Sequence, residues 1–209
     1  MAPQTTALLL VDLQVDFLPI GMLPVPQGDR VIPLANRLMP HYHTVVATQD
    51  WHPANHGSFA ANHPWRKPGQ VIDLHGLSQV LWPIHCVQET WGAEFAAELD
   101  TDGIDMVFRK GTDPEIDSYS GFYDNGHRKS TGLAAWLQER GVTDLHVMGL
   151  ALDYCVKFTV LDGLGEGFRV TLIEDGTRPV ELQDGDGAGA IAAMRTAGAR
   201  VIPSADLLS

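Results

Sequence analysis

Two groups of residues in this chain have the types and spacing to do chemistry. The first is Cys155 with Asp12 and Lys110. Cys155 follows the apolar run at residues 145–150 after a short linker and opens a helical pattern. A thiol there faces backbone N–H groups and the positive end of the helix dipole, which predicts a thiolate, the nucleophilic form. Asp12 and Lys110 close two other short apolar runs. A carboxylate is the base such a thiol needs, and an ammonium can hold thiolate and carboxylate in one ion-pair network. Taken singly, the three have ordinary alternatives: a small buried cysteine, a turn-capping aspartate, a surface lysine. Together, three chemically matched groups fall at three corresponding places, which points to chemistry.

The second group is Asp50, His52 and His85. One carboxylate and two imidazoles suit Zn, Fe or Mn and leave positions open for water or a ligand. Asp50 and His52 are two apart, so an extended chain turns both the same way. His85 must arrive from a distant loop. His56, Ser58 and His63 lie in the same stretch, as extra ligands or as plain loop residues. Phe17, Trp82 and Tyr119 flank these positions and could wall a pocket for a flat ring, or pack loop over core. Cys86 is expected to be buried and inert, and Asp16 and Asp175 to cap or pair locally.

These residues need a scaffold that brings distant positions together. Runs rich in Val and Leu at residues 7–12, 44–48, 105–109, 145–150 and 169–174, with a short one at 200–202, predict strands. They lack clean alternation, as strands buried on both faces do. Helices are predicted at about 30–39, 93–99, 131–140, 154–164 and 183–197. Pro33 must then fall in a first turn, and Gly141 and Gly198 act as C-caps. Strand and helix in alternation predict right-handed crossovers in a single-domain, three-layer α/β/α sandwich over residues 1–209. Residues 50–89 and 111–130 resist the pattern. Both begin where a strand ends, the side on which open parallel sheets bind ligands.

Composition sets the outer bounds. The chain has 209 residues, and 14 Lys+Arg against 26 Asp+Glu give a net charge of −12. That argues against a nucleic-acid or anionic-membrane partner, since both need a cationic face. Two cysteines are too few for a disulfide scaffold. No basic region precedes the short apolar run near the N-terminus, and no segment reaches the ~20 apolar residues of a span. The expectation is a soluble, reduced, cytoplasmic protein. A homo-oligomer is compatible with the sequence.

The motifs resemble a known family. DLQVDF at residues 12–17, DWHPANHGSF at 50–59, WPIHCV at 82–87, Lys110-Gly111, YSGF at 119–122 and GLALDYCV at 149–156 are similar, in order, to the nicotinamidase/pyrazinamidase family of isochorismatase-like cysteine hydrolases. The resemblance implies a six-stranded, mostly parallel sheet with helices on both faces. It implies a catalytic triad of Asp12, Lys110 and Cys155, and a divalent metal on Asp50, His52 and His85. Phe17, Trp82 and Tyr119 would line the pocket. An oxyanion hole would use the N–H groups of Ala151 and Cys155, beside a cis peptide between Leu150 and Ala151. The implied reaction is hydrolysis of nicotinamide, and by extension pyrazinamide, through a cysteine thioester, with the metal positioning the ring. One departure is Ser58, where some members carry a further metal-binding histidine; water or Ser58 itself would take that place.

Three other readings compete. In a metallohydrolase, metal-bound water attacks and Cys155 is a bystander. A related amidase would act on another small amide. A binding module would hold a heterocycle or a metal without turning it over. Thiol alkylation separates the first from a cysteine hydrolase, and a substrate panel separates the second.

Overall fold

The computed structural model describes residues 1–208. In chain order its elements are β1 (Thr6–Val11), α1 (Ile32–Leu38), β2 (Thr44–Asp50), β3 (Val71–Leu74), β4 (Leu77–Val80), β5 (Met106–Lys110), α2 (Leu133–Glu139), β6 (Asp144–Leu150), α3 (Lys157–Gly165), β7 (Arg169–Arg178), α4 (Asp186–Thr196) and β8 (Arg200–Ile202). Six strands form one sheet in the order β5-β2-β1-β6-β7-β8. Every pairing in it is parallel, so "mostly parallel" becomes wholly parallel.

β1 shows why its sequence does not alternate. Leu8 and Leu10 enter the core on one face of the sheet. Ala7, Leu9 and Val11 enter the core on the other. Successive side chains point to opposite faces, and both faces are covered, so every position is apolar. One layer is built by α1 with the loop residues Cys86, Ala93, Ala96 and Leu99. The other is built by α2, α3 and α4 through residues such as Leu137, Val160 and Met194.

The strand order reverses at β1. The chain proceeds outward through β2 to β5, then returns to pair β6 against the other side of β1. Such a switch point opens a crevice beyond the carboxyl ends of the strands. The carboxyl ends of β5, β2, β1 and β6 carry Lys110, Asp50, Asp12 and the segment leading to Cys155. Gly149, near the end of β6, has φ +127°, and a Cβ there would lie 2.1 Å from the Val11 carbonyl oxygen. Only glycine lets β6 approach β1 this closely.

Several local expectations change. No helix forms at residues 93–99; a 3₁₀ turn at Trp91–Ala93 leads into irregular chain. The backbone there is engaged by the segment after β1: Ala96 N–H donates to Leu13 O, and Val15 N–H donates to Glu94 O. The spacing of Ala93, Ala96 and Leu99 imitated a helix because all three are buried against one core. The loop at residues 50–89 contains an unforeseen hairpin, β3–β4. Its turn, His75-Gly76, has φ +51° and +86°, as a two-residue turn between twisted strands requires. The helix expected from Tyr154 begins as a wide π-helical turn, Leu152–Val156, and becomes α only at Lys157. Pro33 falls in the first turn of α1, as required.

Candidate active site

Asp12 is the first residue beyond β1. Its φ of +48° lies in the left-handed region, which aspartate tolerates better than most residues. Thr48 Oγ1, from β2, donates to Asp12 Oδ1 at 2.6 Å. Lys110 ends β5, and its whole side chain is buried. Its Nζ lies 2.8 Å from Asp12 Oδ2, in an ion pair rather than an aligned hydrogen bond. The same Nζ donates to Asp50 Oδ1 at 2.5 Å, Ser118 O at 3.0 Å and Cys155 Sγ at 3.4 Å. A carboxylate oxygen from each of Asp12 and Asp50 and the Cys155 sulfur lie within 4.8 Å of one another. Their common counter-charge is the Lys110 ammonium.

The electrostatics follow from this packing. Burial pushes Asp12 up to about 6, with the Lys110 ammonium pulling the other way. Burial would also raise Asp50, but Lys110 and His52 outweigh it and hold Asp50 well below the usual carboxylate range. Burial would lower Lys110; Asp12, Asp50 and Cys155 more than offset it and keep the ammonium charged. Cys155 differs from the sequence expectation. Burial, reinforced by Asp12 and Asp50, raises its thiol well above the ordinary value against the pull of Lys110. A helix start alone does not make a thiolate when the sulfur is dry and two carboxylates stand beside it.

His52 sits just past β2. Its Nδ1 is 2.8 Å from Gly111 O, and its Nε2 is 3.7 Å from Asp50 Oδ2. Gly111 has φ +64°, and a Cβ there would lie 2.3 Å from the imidazole, so the residue after Lys110 must be glycine. His85 Nδ1 is 2.8 Å from Pro83 O. A carbonyl only accepts, so both rings carry hydrogen on Nδ1 and keep a lone pair on Nε2 when neutral. Burial and the neighbouring His52 push His85 down to about 4, which keeps it neutral. His52 is raised instead, because Asp50 outweighs its burial. Ligand atoms of Asp50, His52 and His85 lie within 4.8 Å of one another. With Asp50 Oδ1 on Lys110, Oδ2 is left on the histidine side. A buried carboxylate and two imidazoles whose far nitrogens are fixed by carbonyls fit a divalent transition metal.

A pocket opens onto both groups. Phe17, Trp82 and Tyr119 line it, as do Ala151 and Cys155. The Leu150–Ala151 peptide is cis. Trp82 Nε1 donates to the Tyr119 hydroxyl at 3.1 Å, and Phe17 packs 5.6 Å from the His85 ring.

Leu23, Val180, Asp117 and Tyr154 also line this pocket, and no spacing in the sequence signals any of them. Tyr154 stands edge-on to Trp82, with centroids 4.7 Å apart. Asp117 Oδ2 accepts from Gln79 Nε2 at 2.8 Å, and Gln79 belongs to the unforeseen hairpin. Gln14 was equally hidden: its side chain accepts from Asp50 N–H and donates to Asp50 O, clamping the end of β2. Its place in the DLQVDF motif was the available signal. Ser58 Oγ turns to His56 Nδ1 at 2.7 Å. Cys86 is fully buried with its thiol pushed up by burial, and its N–H donates to Asp16 Oδ2, which makes that aspartate a local cap.

The isochorismatase domain model matches residues 6–206. The nicotinamidase of Escherichia coli (strain K12) is 51% identical over 207 residues, covering 96% of this chain and 95% of that protein. A nicotinamidase/pyrazinamidase structure from Acinetobacter baumanii superposes with a TM-score of 0.96 at 44% identity, covering 99% and 100% of the two chains. An L. infantum protein in complex with nicotinate gives 0.86 at 36% identity, covering 98% and 96%. A Pyrococcus horikoshii pyrazinamidase in complex with zinc gives 0.76 at 36% identity, covering 96% and 99%. With its sheet, its buried lysine between two aspartates and a cysteine, and these relatives, the chain belongs to the isochorismatase-domain family, on its nicotinamidase branch.

Proposed function

We propose that this chain hydrolyses nicotinamide to nicotinic acid and ammonia, with Cys155 as nucleophile, Asp12 as proton carrier and Lys110 as their electrostatic partner. The observation that carries this is the single buried ammonium in contact with Asp12 and Cys155, where Cys155 itself lines a pocket walled by Phe17, Trp82 and Tyr119. Relatives whose names carry the activity support the choice of substrate. Pyrazinamide, with a similar ring and the same carboxamide, is the second substrate.

Asp12 takes the thiol proton as Cys155 Sγ attacks the carboxamide carbon. The new C–S bond drives the carbonyl electrons onto oxygen, where the N–H groups of Ala151 and Cys155 receive the charge. A preorganised donor of this kind contributes about 3–4 kcal/mol. The tetrahedral species collapses, and the C–N bond breaks as Asp12 returns its proton to nitrogen, releasing ammonia. Water then attacks the thioester, giving its proton to Asp12. Nicotinic acid leaves, and the proton passes back to Cys155. Lys110 stays charged throughout and offsets whichever of Asp12 and Cys155 is anionic.

Phe17, Trp82 and Tyr119 hold the ring and exclude water. Asp50, His52 and His85 would hold one divalent ion, Zn, Fe or Mn, which when bound would orient the ring through its pyridine nitrogen. Among the described residues no helix is long and apolar enough to cross a membrane. Two free cysteines fit a reducing cytoplasm, where the product would feed pyridine nucleotide synthesis.

The test is ammonia release from nicotinamide by metal-replete protein, with and without iodoacetamide treatment. Release that alkylation of Cys155 abolishes is the expected result. Release that survives verified alkylation would favour attack by metal-bound water, and no release would redirect the search to other small amides.

A further inference from the structure

A third imidazole stands behind the metal-ligating set proposed above and has no function there. His56 is fully buried, and its Nε2 has no hydrogen-bond partner. Its ring lies 4.2 Å from that of His52, centroid to centroid. Beyond it is Asp117, also buried, with Oδ1 accepting from Ser118 N–H and Oδ2 from Gln79 Nε2. Ligand atoms of His52, His56 and Asp117 lie within 4.8 Å of one another, as those of Asp50, His52 and His85 do.

We propose that His52, His56 and Asp117 form a second divalent-cation site, and that the two sites share one ion in alternative positions. This rests on the reading of Asp50, His52 and His85 as metal ligands. His52 makes the two sites mutually exclusive. Its Nδ1 is held by Gly111 O, so only Nε2 is free to bind a metal. One lone pair serves one ion, and the triads cannot both be filled.

The chemistry of the second triad suits a first-row transition ion: two imidazoles and one carboxylate. The Asp117 carboxylate is fixed by its two donors, as ligating carboxylates commonly are. Ser58 completes the arrangement. Its hydroxyl lies 2.7 Å from His56 Nδ1 and can accept a hydrogen from it, as Gly111 O and Pro83 O do for the other two rings. The Ser58 amide also points at Nδ1, from 3.3 Å. Before coordination, therefore, the hydrogen rests on Nε2. Coordination moves it to Nδ1, where the Ser58 hydroxyl turns to accept it and the long Ser58 amide contact is given up, so no net proton is lost.

The experiment is Co(II) binding by the full chain, read as stoichiometry and dissociation constant against a chromogenic chelator. The wild type should bind one equivalent. His85→Ala, which breaks the first triad, should still bind one equivalent at least about tenfold more weakly. His85→Ala/His56→Ala and His85→Ala/Asp117→Asn should lose it. A His85→Ala protein that binds nothing, or binds equally well without His56, overturns the proposal. Anomalous diffraction from wild-type crystals soaked in excess Co(II) needs no variant. Two partly occupied positions within reach of His52 Nε2, one toward Asp50 and His85 and one toward His56 and Asp117, summing to one ion, support the proposal. Density only beside Asp50 and His85 refutes it and leaves the first site standing, while no ion at either position refutes both.

Discussion

The Lys110 ammonium lies 2.5 Å from Asp50 Oδ1 and is completely buried. This contact joins two groups of residues that the sequence presents as separate. On one side Lys110 meets Asp12 and Cys155; on the other, Asp50 has its second oxygen toward His52. One cation therefore acts electrostatically on both the proposed nucleophile and the proposed metal-ligating set. The β2–β5 register, which places Asp50 opposite Lys110, creates the contact.

Lys110→Ala should be the most damaging single change to stability. It removes a buried cation and leaves two buried carboxylates facing each other. Loss of one partner from such a network costs about 3–5 kcal/mol. Urea denaturation should read this as a lower midpoint with an unchanged slope; a loss under 1 kcal/mol would mean water reaches the pair.

Cys155→Ala should lower turnover by at least about 10³-fold, and Asp12→Asn nearly as much, because residues acting as one unit are not additive. The double variant should then be little worse than either alone. Steady-state ammonia release checks this, and additive losses would show that the two act in separate steps.

The acid limb of kcat/KM should fall near pH 6. Asp12 must be a carboxylate to take the thiol proton, and burial raises it to about 6. Activity is therefore present above that pH and lost as Asp12 protonates below it. Lys110 lowers Asp12 against this trend, so Lys110→Met should move the limb to higher pH. A wild-type limb near 4 would show that Asp12 titrates like an exposed aspartate.

Gly111→Ala should cost about 1–3 kcal/mol from its positive φ alone. Its Cβ would also displace the His52 ring. Metal content by elemental analysis should fall while the triad residues remain. Full metal loading in a folded variant would show that the loop beyond β5 yields more readily than its packing suggests.

His52→Ala should lose metal and raise KM for nicotinamide more than it lowers kcat, since the ion is assigned to ring positioning. A change confined to kcat would place the ion in the chemistry instead.

Much of this molecule is legible in one dimension. Apolar runs without alternation marked the four inner strands as covered on both faces, because each packed face demands apolar residues, whereas the edge strands β5 and β8 are largely exposed. The chemistry-bearing residues were legible for a related reason. In a parallel sheet the functional groups stand at strand ends, so Asp12, Asp50 and Lys110 each follow an apolar run. Tertiary structure decided the rest. Residues 93–99 carried helical spacing, yet their backbone is taken by the segment after β1, and no local signal records a partner some 80 residues away. The Cys155 thiol is pushed up, not down as its helix position suggested, because burial and the nearby Asp12 and Asp50, which only folding brings near, outweigh Lys110. Gln79 and Asp117 became visible only in the fold, as did the surroundings of His56, a candidate ligand in the sequence whose Nε2 has no partner. Their significance is a matter of what faces them, and the sequence states spacing along the chain but not distance across it.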